Sequence, residues 1–308
     1  MPRTDQVSLT DYAAFLPARQ RAKVVVPDHD WWPWRGSEVH LLRAGKPDAP
    51  VRLVVVHGAG AHAEALWPLA SLVASEDVDI TALDLPLYGK TQVSQRSTVR
   101  YEQWVELLRD FLVSTDDGRP VALLGGSIGG LLAVEAAARA GNVSAVVATC
   151  LLDPSTSAAR ACMTRFGRAA LPFMTFLPLV RGPVARIPIK ISWTAKLSAM
   201  GRNPDLGKLC ARDSRGGGAW VPMAFLASYL QYKHAAARSN PVRVHLVHPQ
   251  NDDWTPIALS QATLNQLPGP TQVTVLRNCG HFPLEEPGLS DLMNIVQRIT
   301  KNPQNYSY

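Results

Sequence analysis

Short apolar runs alternate with longer amphipathic segments along most of this 308-residue chain. Runs rich in β-branched residues predict seven strands, at 38–43, 51–57, 80–85, 121–124, 143–151, 242–247 and 272–276. Apolar positions at helical spacing predict four clear helices, at 101–113, 128–140, 256–267 and 287–301. Alternation of this kind predicts an α/β fold, with a mostly parallel sheet covered by helices on both faces.

One junction between a predicted strand and a predicted helix carries the sequence Gly125-Gly126-Ser127-Ile128-Gly129. This G-x-S-x-G pattern also occurs in ordinary turns, but a strand before it and a helix after it are typical of a nucleophile elbow. In an elbow, glycines relieve the crowding of a tight turn, and the serine sits at the N-terminus of the helix. Ser127 is therefore the predicted nucleophile.

A second glycine-rich turn, His57-Gly58-Ala59-Gly60-Ala61-His62, follows the predicted strand at 51–57. In this arrangement we expect the backbone N–H groups of Ala59 and Ile128 to converge on one oxygen and to form an oxyanion hole. The alternative for this turn, taken alone, is a plain connection between a strand and a helix.

Candidates for a base and an acid follow the last two predicted strands. Asp252 lies after 242–247 and His281 lies after 272–276, at the strand ends where open parallel sheets carry functional groups. We expect His281 to accept the Ser127 proton and Asp252 to orient the imidazole. Asp253 and Asp153 remain alternatives for the acid.

Together these motifs resemble those of the α/β-hydrolase superfamily over residues 38 to 300, apart from a central insert. The turn at 57–62 is similar to the oxyanion loop of monoacylglycerol lipases and related lysophospholipases, and Gly280-His281 resembles the family's histidine loop. The stretch Asp84 to Gly89 looks like the family's Asp-x-Pro-Gly-x-Gly loop, with Leu87 where glycine is common. The resemblance implies a doubly wound sheet with a helical cap inserted between strands 6 and 7 in the family's count. It also implies a serine esterase that acts on a lipid-like monoester, without metal or cofactor.

The insert differs from the rest of the chain in charge. Residues 154–241 contain thirteen Lys or Arg and only two acids, Asp205 and Asp213, a balance of about +11 against +6 for the whole chain. We expect these residues to form a cap over a core made of 1–153 and 242–308. The apolar stretch with arginines at 171–191 favours contact with anionic lipid, and a solvated basic face is the alternative. Gly216-Gly217-Gly218 predicts a surface loop or a hinge of the cap.

Two other classes of function remain open. Gly125-Gly126-Ser127 is also common in proline iminopeptidases, but such an aminopeptidase must neutralise a substrate ammonium group, and the cap has few acids. A non-catalytic binding protein on the same fold is the third reading.

Several classes of protein are disfavoured by what the sequence lacks. No nucleic-acid module or metal motif is present, and no apolar run reaches the ~20 residues needed to span a bilayer. The start of the chain is polar and the four cysteines have no paired spacing. These features predict a cytoplasmic protein with free thiols and no nucleic-acid partner.

Overall fold

The structure is a computed structural model that describes residues 6–302, except for the side chain of Pro178. Residues 1–5 and 303–308, the two ends of the predicted core, lie outside the described residues. Within this range the strands are β1 (Asp28–Trp34), β2 (Ser37–Ala44), β3 (Val51–Val56), β4 (Val78–Leu83), β5 (Val121–Gly125), β6 (Val143–Ala148), β7 (Pro188–Lys190), β8 (Trp220–Pro222), β9 (Val244–Pro249) and β10 (Thr271–Leu276).

Eight strands form the main sheet, in the order β1-β2-β4-β3-β5-β6-β9-β10. Strand β2 is antiparallel to both of its neighbours, and the remaining pairs are parallel. Every residue of β3, β4, β5 and β9 is buried, because helices cover both faces of the sheet. The predicted mostly parallel, doubly wound sheet is therefore confirmed.

Helices pack on both faces of this sheet. Outside residues 154–241 they are Leu9–Ala13, Ala18–Arg21, Ala63–Ala70, Tyr101–Ser114, Ile128–Ala140, Ile257–Leu264 and Gly288–Lys301, with short 3₁₀ turns at Ser71–Val73 and Arg96–Thr98. Tyr101–Ser114 and Ile128–Ala140 contribute to the apolar core on one face, and Ala63–Ala70 and Gly288–Lys301 to that on the other. Within residues 6–302, no helix combines the length and apolar character needed to cross a bilayer.

Residues 154–241, called the insertion below, lie between β6 and β9, the sixth and seventh strands of the main sheet. They contain the small antiparallel sheet of β7 and β8, and the helices Ser157–Met163, Leu171–Phe176, Gly182–Ala185, Ile191–Thr194, Pro204–Arg212, Met223–Gln231 and Ala235–Ser239, with 3₁₀ turns at Gly167–Ala170, Leu177–Leu179 and Leu197–Ala199. Phe225 and Tyr229 of the insertion belong to the same buried cluster as Trp104 of the main body. The insertion thus packs directly onto the sheet's own helices.

Strand β1 has no counterpart among the predicted strands. It pairs antiparallel with β2 and forms the edge of the sheet. Most of its residues are exposed, Pro33 interrupts its donor pattern, and its charged and aromatic side chains do not alternate regularly. Trp34 is buried and the Trp32 ring packs edge-on against Phe111, with centroids 5.3 Å apart. This edge strand therefore contributes Trp34 to the core, with Trp32 packed against it.

Candidate active site

Ser127 lies between the end of β5 and the first residue of the helix Ile128–Ala140. Its φ of 53° and ψ of −130° are unusual for a residue with a side chain, and such strain is concentrated at functional turns. The turn needs glycine beside it: a Cβ on Gly125 would lie 2.5 Å from the carbonyl oxygen of Gly129. The Ser127 N–H donates to Thr149 Oγ1 at 3.0 Å, which anchors the turn to the chain after β6. This is the geometry expected of a nucleophile elbow.

Asp252 and His281 follow β9 and β10, and the structure brings them into contact. His281 Nδ1 lies 2.8 Å from Asp252 Oδ2, and both side chains are buried. Thr255 donates to the same carboxylate through its N–H at 2.8 Å and its hydroxyl at 2.5 Å. Burial would raise the pKa of Asp252, but the charge and hydrogen bond of His281, together with Thr255, lower it to about 2. The carboxylate is therefore ionised over the whole neutral range.

The other ring nitrogen of His281 is not held by Asp252. Nε2 is buried and has no hydrogen-bond partner among the described residues, and His281 and Ser127 line the same pocket. The Trp254 ring packs against the imidazole, with centroids 4.8 Å apart. Asp252 and Trp254 both contact the ring, and Nε2 is the ring nitrogen left without a hydrogen-bond partner among the described residues.

The two alternative acids lie elsewhere. Asp253 is exposed, and its backbone carbonyl accepts a hydrogen bond from Lys196 Nζ at 2.7 Å. Asp153 is buried but forms an ion pair with Arg238 and accepts a hydrogen bond from the N–H of Ser155. Of the three candidates, only Asp252 contacts His281.

The predicted oxyanion loop lies directly against the elbow. A Cβ on Gly58 would be 2.9 Å from Ser127 Cβ and 3.3 Å from the backbone nitrogen of Ile128, so this position leaves room only for glycine. Ala59, the next residue, lines the pocket together with Ser127. His57 holds the loop through both of its ring nitrogens. The Nε2 atom accepts the N–H of Leu85 at 2.9 Å, and the Nδ1 atom donates to the Gly58 carbonyl at 2.8 Å.

The loop that resembles Asp-x-Pro-Gly-x-Gly supports this region from the neighbouring strand. Asp84 is buried, and its Oδ1 accepts the N–H of Ala63 at 2.7 Å, just after the oxyanion loop. Leu87 has a φ of 82°, in the left-handed region that favours glycine. The backbone that the family usually builds with glycine is thus kept here with a buried leucine.

A polar contact that the sequence did not indicate joins the insertion to the oxyanion loop. Asp213 Oδ2 lies 2.7 Å from His62 Nε2 and accepts the Tyr12 hydroxyl at 2.9 Å, all three side chains being buried. Three residues further on, a Cβ on Gly216 would lie 2.9 Å from the carbonyl oxygen of Gly60.

Gly216-Gly217-Gly218 is therefore not the predicted surface loop, since all three glycines are buried. They allow two backbones to touch: Gly216 N–H and Gly218 N–H both donate to the Asp213 carbonyl, which folds the turn tightly against the oxyanion loop. In the sequence, only the run of three glycines hinted at this contact between the insertion and the oxyanion loop.

Two apolar pockets meet at Ser127. The insertion-side pocket encloses about 1090 Å³, including space open to solvent, and is lined by residues such as Leu152, Phe173, Leu226 and Leu230. The His281-side pocket encloses about 720 Å³ on the same measure and is lined by residues such as Leu66, Leu69, Met200 and Phe282. Over the described part of the chain, neither pocket is lined by Asp, Glu, Lys, Arg, Asn or Gln. In residues 6–302, no group of three or more His, Cys, Asp or Glu side chains is placed to hold a metal ion.

The insertion exposes several large apolar side chains. The most exposed are Phe166, Phe173, Phe176 and Leu179, each with more than half of its surface accessible. Phe166 and Phe173 also line the pocket. The same stretch of chain carries Arg165, Arg168, Arg181 and Arg186.

The chain is similar to known proteins in sequence and in fold. A model described as the "Alpha/beta hydrolase family" matches residues 53–289. No curated protein matches the sequence. One solved structure with a similar fold is a soluble variant of monoglyceride lipase from Saccharomyces cerevisiae in complex with a substrate analog, with 14% identity and a TM-score of 0.73 over 93% of this chain and 100% of that one. A second is a monoacylglycerol lipase from Paleococcus ferrophilus, with 18% identity and a TM-score of 0.66 over 86% of this chain and 99% of that one. A third is naproxen esterase from Bacillus subtilis, with 17% identity and a TM-score of 0.62 over 94% of each chain. At these identities the likeness shows the fold.

Proposed function

Because the chain belongs to the alpha/beta hydrolase family, we propose that it is a serine hydrolase that cleaves a carboxylic ester through an acyl-enzyme. One observation carries the proposal: strained Ser127 shares a pocket with His281, whose Nδ1 is held by the ionised Asp252. This arrangement supports the roles of nucleophile for Ser127, base for His281 and orienting acid for Asp252. The structural neighbours include lipases and esterases, in keeping with this class of reaction.

The proposed reaction begins when Ser127 Oγ attacks the ester carbonyl carbon and its proton passes to His281 Nε2. The backbone N–H groups of Ala59 and Ile128 stabilise the oxyanion of the tetrahedral intermediate. The bond between the carbonyl carbon and the alcohol oxygen then breaks, and His281 returns the proton to that oxygen. Water, deprotonated by His281, attacks the acyl-enzyme, so that the acid leaves and Ser127 regains its proton. Asp252 stays ionised and stabilises the imidazolium at each stage.

The acyl part of the proposed substrate is apolar, as in a lipid-like monoester. The insertion-side pocket offers apolar walls, and each buried CH₂ of an acyl chain contributes about 0.8 kcal/mol. A proline iminopeptidase would need a carboxylate for the substrate's ammonium group. Asp213 is occupied by His62 and Tyr12, Asp205 is exposed beside Lys208, and neither lines a pocket. This arrangement favours the esterase.

The decisive experiment compares Ser127→Ala with the wild-type chain on p-nitrophenyl esters of increasing acyl length and on proline p-nitroanilide. We expect esterase activity to fall by about 10⁴-fold or more, since Ser127 supplies the bond to the acyl group. Ser114→Ala, which changes an exposed serine at the end of a core helix, is the matched control and should keep full activity. Turnover of Ser127→Ala at a substantial fraction of the wild-type rate would exclude Ser127 as the nucleophile, and hydrolysis of the anilide alone would favour the peptidase.

We further propose that the exposed apolar and basic surface of the insertion contacts anionic lipid. Aromatic side chains enter the interface while each nearby arginine contributes about 1 kcal/mol of attraction, which salt screens. Phe176 is exposed and lines neither pocket, so Phe176→Ser tests the surface without changing the site. Binding to anionic vesicles should weaken about tenfold in this variant and also fall as salt is raised. Val113→Ser, which changes an exposed side chain on the core helix Tyr101–Ser114, is the control; equal binding by both variants would refute the contact.

A further inference from the structure

The two pockets at Ser127 are not equivalent with respect to the histidine. Ala59, Ser127 and Trp254 line both pockets, so both open onto the same nucleophile. His281 lines only one of them, the His281-side pocket. Trp254, which packs against the His281 ring, stands at the boundary between them.

This asymmetry assigns the two halves of an ester to the two pockets. In acyl transfer, the histidine that takes the serine proton must give it to the departing alcohol oxygen, so the alcohol has to lie beside that histidine. On the proposed mechanism the alcohol therefore occupies the His281-side pocket. The acyl group is left with the insertion-side pocket.

The walls of the His281-side pocket show which alcohols it suits. Leu66, Leu69, Met200 and Phe282 present apolar surface, and no charged or amide side chain of the described residues joins them. Apart from Ser127, His281 and Cys210, the polar side chains of the wall are two hydroxyls that already form hydrogen bonds within the protein: the Tyr12 hydroxyl donates to Asp213 Oδ2, and Thr149 Oγ1 accepts the Ser127 N–H.

An alcohol with further hydroxyls, or with a phosphate, would lose its water there without gaining partners. A buried polar group left without hydrogen bonds costs free energy, and a buried unpaired charge costs more. Among the described residues, the pocket wall offers no Lys or Arg to a phosphate and no carboxylate to an ammonium group. An alkyl or aryl alcohol, in contrast, loses only its contact with water.

We infer that the substrate is an ester of an apolar, uncharged alcohol, bound in the His281-side pocket, rather than an ester of glycerol or of a glycerophosphate. The inference rests on the proposed esterase function and defines its leaving group. The insertion-side pocket sets the acyl preference separately.

Butanoate esters test this, because they stay monomeric in solution and share one acyl group. We compare kcat/KM of the full chain for butyl butanoate, benzyl butanoate, 1-glyceryl butanoate and butanoyl glycerophosphocholine. Butyl and benzyl esters should exceed the glyceryl ester by about tenfold or more, and the glycerophosphocholine ester should be the poorest. A glyceryl ester cleaved as fast as the butyl ester, or faster, would overturn the inference while leaving the esterase in place. If no ester is cleaved in a Ser127-dependent way, the proposed function itself fails.

Two matched variants test which pocket discriminates between the alcohols. Leu66 lines only the His281-side pocket and Leu226 only the insertion-side pocket, and both are half-buried leucines. Leu66→Gln should reduce the ratio of butyl to glyceryl turnover by about threefold or more, since a new polar group meets the glycerol hydroxyls. Leu226→Gln should leave that ratio unchanged and alter the dependence on acyl length. An equal change of the ratio in both variants would show that the His281-side wall does not select the alcohol.

Discussion

Among the buried aspartate–histidine pairs of residues 6–302, two have almost the same separation and include a loop residue near the candidate site, but only one of the two borders Ser127. His281 Nδ1 lies 2.8 Å from Asp252 Oδ2, and His62 Nε2 lies 2.7 Å from Asp213 Oδ2. In the first pair the carboxylate holds Nδ1, and the Nε2 left without a partner belongs to a residue that lines the pocket with Ser127. In the second the carboxylate holds Nε2, and Nδ1 is buried without a hydrogen-bond partner among the described residues. The ring nitrogen that the carboxylate leaves open decides what each histidine can do.

The pairs also differ in the elements that they join. Asp252 and His281 follow two adjacent parallel strands, so the sheet itself sets their separation. Asp213 comes from the insertion, while His62 comes from the loop that carries Ala59. The second pair therefore attaches the insertion to the oxyanion loop, and its expected contribution is to stability and to the position of that loop.

Removing the charge of the first pair should produce the largest effect. Asp252→Asn lets the amide donate to His281 Nδ1, so the imidazole carries its proton on Nε2 and cannot accept from Ser127. We expect kcat for p-nitrophenyl butanoate to fall by about 10⁴-fold while the far-UV circular dichroism spectrum is kept.

Asn replacements of the two alternative acids are the controls. Asp253→Asn changes an exposed side chain and should leave kcat within about twofold of wild type. Asp153→Asn breaks the ion pair with Arg238 and should lower stability more than activity. If Asp153→Asn lost most of its kcat while Asp252→Asn kept nearly all of it, the orienting acid would be Asp153, which follows β6.

The second pair should respond in the opposite way. In Asp213→Asn, an amide N–H must face either Arg215 N–H or the His62 and Tyr12 donors, which leaves buried groups unpaired. We expect the free energy of unfolding in urea to fall by about 2 kcal/mol and kcat to fall by less than about tenfold. Asp205→Asn, which affects only an exposed pair with Lys208, should change the unfolding free energy by less than about 0.5 kcal/mol. If Asp213→Asn reduced kcat as much as Asp252→Asn does, the distinction between the pairs would fail.

The sequence predicted one pair and missed the other for a physical reason. Each predicted site residue follows a strand whose apolar run is visible locally, and parallel strands bring their carboxyl ends to one edge of the sheet. The predicted fold and family resemblance are confirmed on this basis. The catalytic roles of Ser127, Asp252 and His281, and of the Ala59 and Ile128 N–H groups, remain predictions for the variants above to test.

Contacts between distant segments leave no such local pattern. Asp213 and His62 are 151 residues apart in the sequence, and neither sits in a motif that names the other. Strand β1 was missed because an exposed edge strand needs no apolar alternation, and Pro33 is tolerated there. The glycines at 216–218 were visible, but close contact of two backbones and an exposed turn both favour glycine, so composition alone does not separate them.

The smallest expected effect is a pH dependence of stability that comes from buried histidines with no carboxylate in hydrogen-bond contact. Burial lowers the pKa of His57 to about 4 and that of His234 to about 3, from 6.5. The folded state therefore binds fewer protons than the unfolded state below pH 6.5, and stability present above that pH is lost as the pH falls towards 4. Each histidine should contribute a decrease of about 1 kcal/mol per pH unit in the free energy of unfolding, measured in urea between pH 6.5 and 5. His234→Gln should make this dependence shallower, and an unfolding free energy that is constant or rises on acidification over this window would contradict the assignment.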